Sequence, residues 1–88
     1  MQKVWVGVSS WMNSRCKMGF GSEVVVGTTK EDVVNKLFDT FYEKCVHDED
    51  ENVITPTEFI KNGCVLSTSE GSVVVKEVSI NEVTSFGI

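Results

Sequence analysis

Histidine occurs once in this chain, at His47, and proline once, at Pro56. A single histidine excludes the HExxH zinc motif. It also leaves Cys45 as its nearest thiol, and at i and i+2 on a helix the two side chains point to different sides, so no thiolate–imidazole dyad forms. Cysteines number 3 (Cys16, Cys45 and Cys64), too few for a four-cysteine zinc site and without a CxxC pair. An odd count cannot pair fully within one chain. With no signal-peptide core in MQKVWVGVSS, the expectation is reduced, structural thiols and a cytoplasmic protein.

Long apolar runs are also missing. None approaches the roughly 20 residues that span a bilayer, so no membrane partner is expected. Cations are sparse: 8 Lys and Arg stand against 13 Asp and Glu, a formal net charge of −5. The cations are scattered along the chain, which disfavours a nucleic-acid backbone as the main partner. Nucleotide motifs fail as well. There is no phosphate-binding GK[ST], and Gly19-Phe20-Gly21 would need its third fingerprint glycine at Val24, ahead of a helix rather than a strand.

What is present suits one ordinary globular domain over residues 1–88, with 41% apolar residues. Gln2 to Ser9 alternates, with Val4, Val6 and Val8 on one face and Lys3, Trp5, Gly7 and Ser9 on the other, as in a half-buried strand. Trp5 reads as a ring packed over small neighbours. Ser22 to Gly27, with Val24, Val25 and Val26, predicts an antiparallel second strand. Thr28-Thr29-Lys30-Glu31 reads as a capping box that opens a helix at Thr28. Val33, Leu37, Phe41 and Cys45 then recur every four residues, predicting one helix of about 17 residues.

Thr55-Pro56-Thr57-Glu58 signals a second, short helix that stops at Asn62-Gly63. Cys64 to Thr68 and Ser72 to Ile80 complete a second hairpin, while Asn81 to Ile88 fits no single element. The expected fold is α+β in two layers. An antiparallel sheet of about four strands, made of two hairpins, is packed by one long helix in the order β-β-α-(short α)-β-β.

Two segments are candidates for function. Ser10 to Gly21 carries Trp11, Met12, Met18 and Phe20 with Arg15 and Lys17 between two strands. Aromatics, Met and Arg in a connection match the make-up of protein-binding hot spots. The alternative is a lid, with Trp11 or Phe20 folded back over an open end of the sheet. The second segment is the acidic run Asp48, Glu49, Asp50 and Glu51, a solvated loop or a patch for a basic partner. Asp48-x-Asp50-x-Asn52 opens like a calcium loop but places Val53 at the sixth position and Phe59 at the twelfth, where Gly and Glu are required. Asp39 and Glu43, four apart on the wet face of the helix, form no buried catalytic pair.

No catalytic, metal or cofactor set therefore emerges, and the chain reads as a non-enzyme. In whole-chain character (very short, acidic, a lone helix on a hairpin-rich sheet) it resembles small phage or prophage accessory proteins, including those that block host defence systems. That resemblance implies inhibition by binding a host or defence-system protein in the host cytoplasm, and it carries no residue role across. The expected function is a protein-binding module using Trp11, Met12, Arg15, Lys17, Met18 and Phe20, or Asp48 to Glu51. The partner is expected to be a protein, a second copy of this chain being one candidate. The alternative is a small nucleic-acid-associated protein that stacks and contacts phosphate through Trp11, Arg15, Lys17 and Phe20.

Overall fold

A computed structural model describes residues 3–11 and 21–80. Within them lie β1 (Lys3–Trp11), β2 (Gly21–Gly27), α1 (Lys30–Phe38), a 3-10 turn (Tyr42–Lys44), β3 (Val46–His47), β4 (Val53–Ile54), α2 (Pro56–Lys61), β5 (Val65–Thr68) and β6 (Gly71–Ser79). The antiparallel sheet has the order β2-β1-β6-β5, so the two hairpins join along β1 and β6. The fold is α+β with a four-stranded antiparallel sheet, and β3 and β4 add a separate two-stranded ribbon.

Small residues decide which face of the sheet meets the helix. A Cβ at Gly7 would strike Leu37 and Val33, and one at Gly27 would come within 2.8 Å of Val33. The absence of side chains there lets α1 lie close against β1 and β2. Trp5, Gly7, Ser9 and Trp11 therefore form the inner row of β1, beside Val73 and Val75 of β6. The valine row of β1 faces the other way. Trp5 packs against the core as expected, with the Lys30 ammonium 5.6 Å from its ring centroid.

The single long helix is not found. α1 ends at Phe38, after which Thr40 and Phe41 donate to Leu37 and Phe38 in i→i−3 bonds, each 3.0 Å. The Thr40 hydroxyl also donates to the Leu37 carbonyl at 2.6 Å, competing for the acceptor that would continue the helix. The chain tightens into 3-10 geometry and then passes through left-handed backbone at Glu43 and Lys44. Phe41 and Cys45 still point inward, which is why they keep the apolar spacing of a helix.

Smaller corrections follow the same logic. The N-cap is Thr29, one residue later than the expected Thr28, and its hydroxyl accepts from the Asp32 N–H at 3.2 Å. Thr55 caps α2 as expected, accepting from the Glu58 N–H at 3.3 Å. β1 runs on through Ser10 and Trp11, and Cys64 precedes β5 in left-handed backbone. Cys16 and the segment Asn81 to Ile88 lie outside the described residues.

Candidate partner-binding surface

The proposed aromatic loop and the acidic run fare differently. Trp11 is 1% exposed, ends β1 opposite Gly21 and Gly71, and belongs to the core cluster with Phe38, Phe41 and Phe59. The expectation of an outward anchor at Trp11 is corrected, because an indole packed on this cluster leaves no face for a partner. The cause lies on the neighbouring strand: a Cβ at Gly71 would lie 2.7 Å from the indole, so the glycine gives the ring its space. Met12, Arg15, Lys17, Met18 and Phe20 lie outside the described residues.

The acidic run closes the β3–β4 ribbon. Val46 pairs with Ile54 and His47 with Val53, and both Val46 and Ile54 are buried, so the ribbon is pinned to the core. Asp48 organises the turn between them. Its Oδ1 accepts from the N–H groups of Asp50 and Asn52, each at 2.9 Å, and its Oδ2 accepts from Asn52 Nδ2 at 3.2 Å. The Asn52 backbone bond leads in holding this carboxyl below its ordinary pKa, and the Asn52 side chain, Asp50 and His47 act in the same direction. The Asp-x-Asp-x-Asn pattern is thus an Asp-capped turn that binds its own backbone.

Glu49 reaches to a second turn. Its carboxylate accepts from the Ser69 N–H and, at 3.3 Å, from the Ser69 hydroxyl. Ser69 lies in the β5–β6 turn, which is itself held by a 3.1 Å bond from the Glu70 N–H to Thr68 Oγ1. The two turns enclose a shallow cleft lined by His47, Asp48, Glu49, Glu51, Thr68, Ser69 and Glu70. Glu51 is exposed on its lining, and Asp50 is exposed in the β3–β4 turn. Of the four carboxylates that line the cleft, Asp48, Glu49 and Glu51 belong to the acidic run legible in the sequence, whereas Glu70 was missed, its only signal being the Ser69-Glu70-Gly71 turn.

A second surface, also missed, is apolar. β2 forms one edge of the sheet and turns Val24 and Val26 outward, 66% and 59% exposed. The signal was the Val24-Val25-Val26 run, whose flanking members share a face. Val4, Val6, Val8 and Val78 share that face and are half-buried, and Val74 is buried between Val8 and Val65 on the neighbouring strands.

Among the described residues, no group of three or more His, Cys, Asp or Glu could hold a metal ion, and no helix is long and apolar enough to cross a membrane. Comparison of the chain with protein-family models, curated proteins and solved structures gives no match.

Proposed function

We propose that this chain is a non-enzymatic protein-binding module whose acidic corner engages a basic segment of its partner. The observation that carries the reading is the meeting of two turns, which brings Glu70 to the same cleft as Asp48, Glu49 and Glu51, with Asp50 exposed in the β3–β4 turn. Hydrogen bonds hold Asp48 and Glu49 in place, so the exposed carboxylates Asp50 and Glu51 of the same turn are positioned in advance of binding. Potential of one sign on such a corner steers and orients a complementary cationic surface. The whole-chain resemblance to phage accessory proteins suggests that the partner is a host or defence-system protein and that binding inhibits it.

The test is capture of a partner from host lysate by the wild-type chain and by Asp50→Lys/Glu51→Lys, with the captured protein identified by mass. Glu49 is left intact because it ties the two turns together. The expected result is a partner held by the wild type, released progressively by added salt, and absent from the charge-reversed variant. Equal capture by both chains would refute the acidic corner as the contact.

A further inference from the structure

The two edges of the main sheet are unlike. β5 is four residues long, too short to template much further pairing. β2 spans Gly21–Gly27 and keeps unbroken register with β1 from Trp5↔Gly27 to Trp11↔Gly21. No bulge turns its outer edge away, and its sequence, GSEVVVG, contains no Pro, Lys or Arg. These are devices that ordinarily blunt a free edge; the strand's one charge, Glu23, lies toward its start and leaves Val24 to Gly27 without any. Among the described residues no strand pairs with that edge.

We propose that β2 pairs antiparallel with β2 of a second copy about a two-fold axis at Val25, joining the two sheets into one. The choice of occupant follows from the self-complementarity of the strand. With the axis at Val25, Val24 of each copy stands opposite Val26 of the other, and Val25 stands opposite itself. Each exposed valine thereby gains an apolar cross-strand neighbour. Glu23 falls opposite Gly27, where no charge opposes it. An axis at Glu23 would set two carboxylates face to face, and an axis at Val24 would spend Val26 on Ser22 and place Glu23 against Val25. A two-fold axis perpendicular to the sheet also keeps both α1 helices on one side.

Pairing over residues 23–27 falls short of the roughly 1,200 Å² buried in stable complexes, so the dimer depends on concentration. Each copy carries a net charge of −5, and the copies repel. Added salt therefore strengthens this association, whereas it weakens binding of a basic partner at the acidic corner. The two proposals fail separately.

Sedimentation velocity in reductant, with protein raised to roughly 1 mM, tests the pairing. The expected result is a monomer–dimer equilibrium that moves toward dimer with protein and with salt. Val24→Glu, and independently Val26→Glu, should raise the dissociation constant by about tenfold or more while the monomer stays folded with only a modestly lower melting temperature, because both positions are mostly exposed. Amide exchange of the wild type, which needs no variant, should show backbone N–H groups within 23–27 gaining protection as the dimer forms. A monomer throughout, a dimer without that protection, a dimer indifferent to both substitutions, or open-ended polymers would each overturn the proposal.

Discussion

The indole of Trp11 meets the ring of Phe41 edge to face, with centroids 5.5 Å apart and planes at 81°. Phe38 continues the cluster, 5.8 Å from Phe41 and 5.3 Å from Phe59. Four aromatic rings from β1, α1, the turn after α1 and α2 thus share one core, and the geometry suits the ring quadrupoles. This contact explains why the chain leaves the helix after Phe38 without exposing Phe41. The tightened turn carries Phe41 to the end of β1, where Trp11 waits.

Trp11→Ala should therefore act on stability, at a cost of about 3–5 kcal/mol, enough to unfold much of a small domain. Trp11→Phe should cost less. It keeps an aromatic ring and removes an indole N–H that is buried without a hydrogen-bond partner among the described residues. Thermal melting of both variants checks this, and a Trp11→Ala protein that melts like the wild type would contradict the core assignment.

The four strands of the main sheet and the Thr55 cap were legible in outline because their signals are local. Alternation in Gln2 to Ser9 and the Thr55-Pro56-Glu58 start need no tertiary information. The long helix was misread because spacing reports which residues are buried and not how the backbone brings them there: Phe41 and Cys45 satisfy the period of a helix from within a turn. Trp11 was misplaced because Gly19 and Gly21 made its surroundings read as a loop, whereas its burial depends on Gly71, sixty residues away in sequence. The β3–β4 ribbon is two residues a side, too short to show a period. The acidic run could be seen from the sequence. Its pairing with Glu70 could not, since that rests on a contact between Glu49 and Ser69.

Asp48 predicts an acid dependence. Its folded pKa lies below its unfolded value, so the stability it contributes is present above the unfolded value and is lost as pH falls through the folded one. Asp48→Ala should lower the melting temperature at neutral pH, and the gap from wild type should close on acidification. Asp48→Asn should lie between the two, since an amide oxygen accepts from backbone N–H groups without the charge. Melting curves across the acid range decide it, and a gap independent of pH would exclude the carboxylate as the cause.

The buried thiols predict slow chemistry. Cys64 is 4% exposed, and burial pushes its pKa above the ordinary value, so little thiolate exists at neutral pH. Cys45 is also buried, at 8% exposure. Both should resist alkylation in the folded protein and react on unfolding in denaturant. Peptide mapping after a timed exposure to iodoacetamide reads each site, and rapid native labelling of Cys64 would show that this part of the core opens readily.

The break after α1 offers the last test. Glu43 and Lys44 have φ of 56° and 55°, left-handed values that cost an L-residue because Cβ approaches the following carbonyl. Glycine has no such cost, although it gives the unfolded chain more freedom, and the two effects oppose each other. At a fixed left-handed position the strain relief wins, so Glu43→Gly should raise stability by about 1 kcal/mol. Its side chain is exposed, so no packing is lost. Lys44→Gly should gain somewhat less, because it also removes the exposed 3.6 Å ion pair with Asp39, a contact of small worth. Glu43→Ala should be nearly silent, since alanine meets the same strain as glutamate, and Glu43→Val should destabilise through its branched Cβ. A continuous helix through Cys45 would reverse the order, with alanine stabilising and glycine costing about 1 kcal/mol. Melting temperatures of Glu43→Gly and Glu43→Ala, measured side by side, therefore report the backbone conformation at this position directly.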